Sequence, residues 1–544
     1  MKSEHRYGVI AALCVGFLFL ASGLCAQEAT VPRHVGYPQD WSSNSLVFSL
    51  DGLAKYPDLI DREPRVRHQL MQRFQMREPG SFSGVVAGAK SHSKLSPQVT
   101  WPIALTRGKV AANMFPAKFS FDPGAAPSCQ NDFVVFGLDV GGKTGGQANL
   151  IGINNLYSGT NGFCGAAPTV LFAYNVTTAT GGIVTTSPVI SEDGTEIAFV
   201  ESVSGATPSA IFHVLTWAPT SNTITTAAAP TMVSVTFSST NPSTTSSPWV
   251  DYASDTAYVA DDGGNVYQIT GVFKGPLAVS GPPWPVPVSG GRLSPTVLDN
   301  RLQKLVVAAR TGNLYTIDIT TATISGTLPI GKSGSITAPP IVDVTNGTTF
   351  IVSSTDGTSA VLVEADTATL TSPPLAKARI GLGAGTGGGA TLTIPQPALS
   401  NGYYNNPATG VIRLCGTGAS DTTPWQYAFA FTGQTMNITP VFSQQIVNAA
   451  ATCTNWTEFF NPHIGTIGTD FFFFGLNQNC VGTSGCVVAA TTLAAPLTIT
   501  AVAGGPSGIV IDNYGTDPQE ANIYLTAEGA GVSTAYKFSQ NGLQ

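Results

Sequence analysis

Residues Gly137, Gly142, Lys143 and Thr144 stand in GLDVGGKT at the spacing of a phosphate-binding loop, G-x-x-x-x-G-K-[ST]. In such a loop the backbone N–H groups wrap a nucleoside phosphate. The chemistry works only where a strand feeds the glycines and a helix follows, because the helix N-terminus holds the negative charge. Here Thr144 is followed by GGQANLIGINNLY, a glycine turn running into a strand pattern. The related stretch FFFFGLNQNCVGTSG, further along the chain, has no Lys-Thr at the same place. The loop reads as a turn, and no nucleotide is expected.

Other reactive side chains are sparse. The six histidines are His5, His34, His68, His92, His213 and His463. Only His213 (IFHVL) and His463 (NPHIG) fall in the strand-rich body, among apolar neighbours that suit packing. No G-x-S-x-G elbow or H-E-x-x-H pair occurs. Asp261 and Asp262 in ADDGGN sit in a hairpin pattern where Asp and Gly serve the backbone. No catalytic residue, cofactor or metal site is expected.

The elements that must position any site are strands. The chain has 544 residues, a mean hydropathy of +0.16, 59 Gly and 37 Pro, with only 10% charged residues. That is too apolar for disorder. Short Val-, Ile- and Phe-rich runs broken by Gly, Pro, Asn and Asp predict an all-β chain.

Those runs repeat. SPVISEDGTEIAFVES (187–202), SPWVDYASDTAYVADDGGNVYQI (247–269), SPTVLDNRLQKLVVAARTGNLYTID (294–318) and PPIVDVTNGTTFIVSSTDGTSAVLVEAD (339–366) share one plan. A proline opens a strand, a polar turn leads to a second, and a glycine hairpin leads to a third. The prolines at 188, 248, 295, 340 and 397 are 60, 47, 45 and 57 residues apart, and periods of roughly 40–50 residues with some four strands each mark propeller blades. Counting units gives eight four-stranded blades, starting near 117, 187, 247, 294, 339, 396, 457 and 507, with seven as the alternative. The last unit has three strands, so VTWPIAL (99–105) is expected to close the ring against STAYKFS (533–539), leaving no long exposed edge.

Upstream, Lys2 and Arg6 precede the apolar run VIAALCVGFLFLASGL, and Ala26 offers a cleavage site, so residues 1–26 read as a signal peptide. No transmembrane segment is expected in the mature chain. Residues 27–97 form a basic, partly helical arm before a propeller at 98–544. In it, residues 61–78 suit a helix with Val66, Leu70 and Phe74 on one stripe and Arg62, Arg65, Arg67, Arg73 and Arg77 around it. Residues 1–118 carry 14 Lys+Arg and 8 Asp+Glu, and the remainder 11 and 24. The acidic body argues against nucleic acid as a partner.

Six cysteines remain beyond the signal, an even number that in an exported chain predicts three disulfides. Cys129 and Cys164 fall on the same rim of one blade and should pair. Cys415, Cys453, Cys480 and Cys486 allow three pairings; Cys480–Cys486 with Cys415–Cys453 is the favoured one.

GNLYTID (312–318) followed by TTATISG resembles the repeat of pyrroloquinoline-quinone-type propellers over one or two blades. DWS (40–42), FPAKFSFD (115–122), NDFVVFGL (131–138), CTNWTEFFNP (453–462) and DFFFFGL (470–476) together resemble exported propeller proteins of soil bacteria such as Acidobacteria. That second likeness spans nearly the whole chain and implies the fold but no activity. Quinone-dependent dehydrogenases of the first class carry adjacent cysteines and regularly placed tryptophans; this chain has neither.

The reading is therefore a secreted, non-enzymatic propeller, present in the periplasm, at the cell surface or outside the cell. It is expected as a monomer binding a protein or glycan. The alternative is an extracytoplasmic enzyme, a hydrolase or quinone-dependent oxidoreductase, with an unrecognised site. Tyr252, Tyr403, Tyr404 and Tyr514, in turns that share one rim, are the expected ligand-binding residues, as exposed aromatic faces beside Asn and Asp.

Overall fold

The computed structural model describes residues 36–74, 98–120, 127–332, 336, 338–381, 394–417, 423–461, 468–491, 498–513, 519–529 and 531–539. Eight antiparallel sheets follow one another along the chain as the blades of a β-propeller. The inner strands are Ala117–Ser120, Val189–Ile190, Trp249–Asp251, Val297–Asp299, Ile341–Asp343, Ala398–Leu399, Thr457–Asn461 and Val510–Asn513. Each of the first seven is followed by second, third and outer strands, as in blade 4: Lys304–Ala309, Asn313–Asp318 and Thr323–Pro329. The blades start where the proline-led repeat places them.

Blade 8 takes its outer strand from the other end of the chain. Gln98–Thr106 pairs antiparallel with Val532–Ser539, from Gln98 opposite Ser539 to Thr106 opposite Ser533. Trp101 is buried there against Tyr524, with ring centroids 6.0 Å apart. Every blade has thereby a full set of strands, and apolar clusters fill the spaces between them.

The arm packs across one rim of the ring. Tyr37–Gln39 adds antiparallel to the inner strand of blade 1. Leu46–Val47 adds parallel to the inner strand of blade 5, which stands opposite blade 1 in a ring of eight. Between them Trp41 is buried on Trp249 of blade 3, and its Nε1–H donates to Pro248 O at 3.2 Å. Helix Pro64–Phe74 then runs from blade 3, where Arg65 donates to Val250 O at 3.0 Å, to blade 7, where Arg73 meets Glu458. Two segments of the arm thus cross the mouth of the central channel, one between blades 1 and 5 and one between blades 3 and 7.

The expected single helix over 61–78 is divided. Leu59–Arg62 makes one turn, Glu63 is extended at φ −124°, and the longer helix begins at Pro64. A residue before proline is pushed out of the helical region, and proline suits a first helical position. Residues 75–78 lie outside the described residues, as does the expected signal peptide. Val66 is buried and Leu70 packs on the same core, as the stripe requires. Arg65 and Arg73, placed by the sequence around that stripe, are buried between the arm and the ring. No helix among the described residues is long and apolar enough to cross a membrane.

Candidate functional site

The residues that open the inner strands build the channel wall. The Ser187 hydroxyl accepts from Phe115 N–H at 2.9 Å, and the Ser247 hydroxyl accepts from Ser187 N–H at 2.9 Å. These bonds tie blade 1 to blade 2 and blade 2 to blade 3. The Asn455 side chain accepts from Gln396 N–H at 2.8 Å and donates to Asn113 O at 2.8 Å, linking blades 6, 7 and 1. The Ser247 hydroxyl also donates to Met114 Sδ, 3.3 Å away. The Ser-Pro pairs of the repeat therefore do more than start strands. Proline leaves a strand edge without a donor, while the preceding serine bonds the neighbouring blade at Ser187 and Ser247 and its own blade, through Ala308 N–H, at Ser294.

Inside this wall lies a cavity of about 240 Å³. Trp41 of the arm and Phe115 are among its lining, with Met114, Ser187, Thr245, Ser247, Pro295, Pro339 and Asn455. Arg292, in the connection from blade 3 to blade 4, and Arg310, in the second hairpin of blade 4, complete it on the side away from the arm. Among the described residues no carboxylate or histidine lines it. The arm makes the channel blind at one end.

The other rim is where the tyrosines were expected to stand exposed, and it is covered. Tyr252 is 4% exposed and donates to Ile190 O at 2.8 Å, with the Arg65 guanidinium 5.2 Å from its ring. Tyr403 is fully buried, donates to Asp343 Oδ2 at 2.8 Å and packs against Phe350 and Phe431. The Arg73 guanidinium carbon sits 3.1 Å from the centre of the Tyr404 ring. Two features close these rings off: the arm lies over the rim, and Asn401–Asn405 coils into a helical turn. Burial pushes the Tyr404 hydroxyl up to about 12, and those of Tyr252 and Tyr403 well above their ordinary value. Tyr514 lies outside the described residues.

The rim instead holds buried charge that sequence reasoning missed. Arg65 bonds Glu63 at 2.7 Å and the Ser42 hydroxyl at 2.7 Å, and Asp40 accepts from Ser42 N–H at 2.7 Å. Arg73 reaches Glu458 at 2.8 Å and Asn401 Oδ1 at 3.0 Å. Burial holds Glu63, Asp40 and Asp470 above the usual carboxylate range, with the arginines opposing it. The only sequence signal was DREPR itself, where acidic residues flank an arginine ahead of a helix.

Among the described residues the disulfides are Cys129–Cys164, Cys415–Cys453 and Cys480–Cys486. The GLDVGGKT loop contains no helix, and its amides are used internally. Gly142 N–H donates to Thr177 Oγ1, Lys143 N–H to Gln147 O and Gly145 N–H to Ala227 O, each at 2.8 Å. Asp261 accepts from Ser238, Tyr267 and three groups of its own turn, which accounts for its place in ADDGGN. Among the described residues no group of three acidic, histidine or cysteine side chains could hold a metal ion.

One constellation was not legible. His213 Nε2 lies 3.0 Å from Glu201 Oε2, and its Nδ1 lies 2.6 Å from the hydroxyl of Ser234 on the outer strand of blade 2. Glu201 also accepts from Thr178 and Ala179 N–H, and its carboxyl is lowered from the ordinary value, burial being outweighed by the hydrogen bonds from His213 and Thr178. The imidazole is fully buried and the serine is exposed on an open strand. His463 lies outside the described residues.

Fold and channel together define an eight-bladed β-propeller with an armoured rim and a blind central channel. No family model and no curated protein matches the chain. Solved structures similar to it include the computationally designed protein Ika8, at 11% identity over 81% of this chain and 99% of that one, TM-score 0.45. BamB from Moraxella catarrhalis is similar at 12% identity over 81% and 97%, TM-score 0.42. The C-terminal WD40 domain of Sif2 is similar at 11% identity over 81% and 98%, TM-score 0.46.

Proposed function

We propose that this protein is an exported, non-enzymatic binding or scaffolding module. It acts as a monomer outside the cytoplasm and takes a protein or glycan ligand at the open mouth of its central channel. The observation that carries this reading is the channel lining. It presents hydroxyls, amides, a thioether, aromatic rings, prolines and two arginines, and among the described residues no carboxylate or histidine of the kind hydrolysis uses. The cysteine pairs support an oxidising compartment.

The test is a glycan and peptide array probed with the mature chain and with Ala112→Trp. Ala112 is exposed at the channel lining, so the indole blocks the mouth without disturbing the core. Binding lost in the variant supports the channel as the site; binding retained there overturns it.

A hydrolase is the second reading, favoured by the hydrogen-bonded run Ser234–His213–Glu201. It requires covalent labelling of Ser234 by a fluorophosphonate that Ser234→Ala and His213→Ala both abolish. An unlabelled wild-type chain disposes of it.

A further inference from the structure

The channel carries an unbalanced charge. Arg310 N–H donates to Arg292 O at 2.9 Å, which fixes the two residues side by side. Arg292 Nε lies 3.1 Å from Asp262 Oδ2, and Asp262 is already held by Thr244 through its N–H and its hydroxyl. Arg310 is half-buried, and its guanidinium has no side-chain partner among the described residues. A guanidinium offers five donors in a flat fork matched to a carboxylate or phosphate. Taking it partly out of water without an acceptor costs free energy that a bound anion returns. Met114, Phe115 and Trp41 line the same cavity, beside the serine, threonine and asparagine side chains already named.

We propose that this cavity binds a carboxylate carried on an apolar stem, with Arg310 receiving the carboxylate and the Met114–Phe115–Trp41 floor receiving the stem. The proposal rests on the reading of the channel as the binding site and names the chemistry of what enters it. A carboxylate fits better than an inorganic anion because the volume, about 240 Å³, far exceeds that of one small ion and leaves room for a stem against Met114, Phe115 and Trp41.

The test titrates hexanoate, hexan-1-ol and inorganic phosphate into the mature chain by calorimetry, with Arg310→Gln, Arg310→Lys and Ala112→Trp alongside. Circular dichroism melting confirms that each variant is folded. Hexanoate should bind the wild type and weaken about tenfold or more in Arg310→Gln, as expected for loss of a charge-assisted hydrogen bond. Arg310→Lys should retain part of that affinity, and raised salt should weaken it. Hexan-1-ol should bind more weakly and be indifferent to Arg310→Gln. Equal hexanoate affinity in wild type and Arg310→Gln overturns the proposal, as does phosphate binding as tightly as hexanoate, or no binding by any probe. If Ala112→Trp stops both organic probes while Arg310→Gln changes neither, the channel stands as the site and only the anion assignment falls. If both still bind to Ala112→Trp, the channel reading falls with it.

Discussion

The Arg65 guanidinium carbon lies 4.0 Å from the centre of the Trp249 ring, so a cation from the arm is stacked on the inner strand of blade 3. The same group bonds Glu63, Ser42 and Val250 O. Arg65 is thus the clamp between arm and ring. Removing it strands Glu63 and Asp40 in a dry interface, and breaking a buried pair from one side costs roughly 3–5 kcal/mol. Arg65→Ala is expected to show that loss in urea denaturation and to expose residues 41–74 to limited proteolysis. Arg65→Lys should be intermediate, because an ammonium can neither fork nor stack as flatly.

Tyr403 is a structural residue of blades 5 and 6. Tyr403→Phe removes one of several donors to Asp343 and should cost about 1 kcal/mol. Tyr403→Ala empties a fully buried ring site and should cost roughly 3–5 kcal/mol. A Tyr403→Ala chain as stable as wild type in urea contradicts the placement.

The disulfides should differ in weight. Cys129 and Cys164 are 35 residues apart, Cys480 and Cys486 only 6. Loop-closure entropy then predicts losses of roughly 4 and 2 kcal/mol for the paired serine substitutions. Chemical denaturation of the two double variants gives the order. Non-reducing peptide mapping that finds Cys129 free would refute the pairing.

Glu364 is fully buried with Met436 N–H donating to Oε2 at 2.6 Å and no partner on Oε1, and burial pushes its carboxyl up to about 7. The folded state keeps a proton that the unfolded chain releases near 4.5, so this group's contribution to stability falls as pH rises from about 4.5 to about 7. Asp299, pushed by burial up to about 6, adds to the fall in the same direction. Urea midpoints at the two ends of that window should differ less in Glu364→Gln than in wild type. An unchanged difference would exclude Glu364 as a source.

The blade plan was legible because it is local. Proline-led strands, Asp-Gly turns and glycine hairpins recur at a spacing that only a ring of small sheets satisfies, and the eight sheets begin at the repeat's own positions. The pairing of Cys129 with Cys164 followed from the same register, since both fall in turns on one rim. The Ser-Pro pairs were visible too, but only as strand openers; the bonds of Ser187 and Ser247 to neighbouring blades join residues 72 and 60 apart.

Sequence alone determined that this is an all-β repeat protein, because hydrophobic alternation and turn chemistry act between residues a few positions apart. It also placed the cysteines and discounted the phosphate-loop pattern, whose amides turn inward. Only the tertiary structure decided which rim is open. The arm meets blade 3 some 185 residues away through Arg65 and blade 7 some 385 residues away through Arg73, and no periodicity encodes such contacts. That choice buried the tyrosines whose local context predicts exposure, and it left the cavity beside Arg310 facing outward. Burial is a property of what lies across a surface, and here what lies across it is a distant part of the same chain.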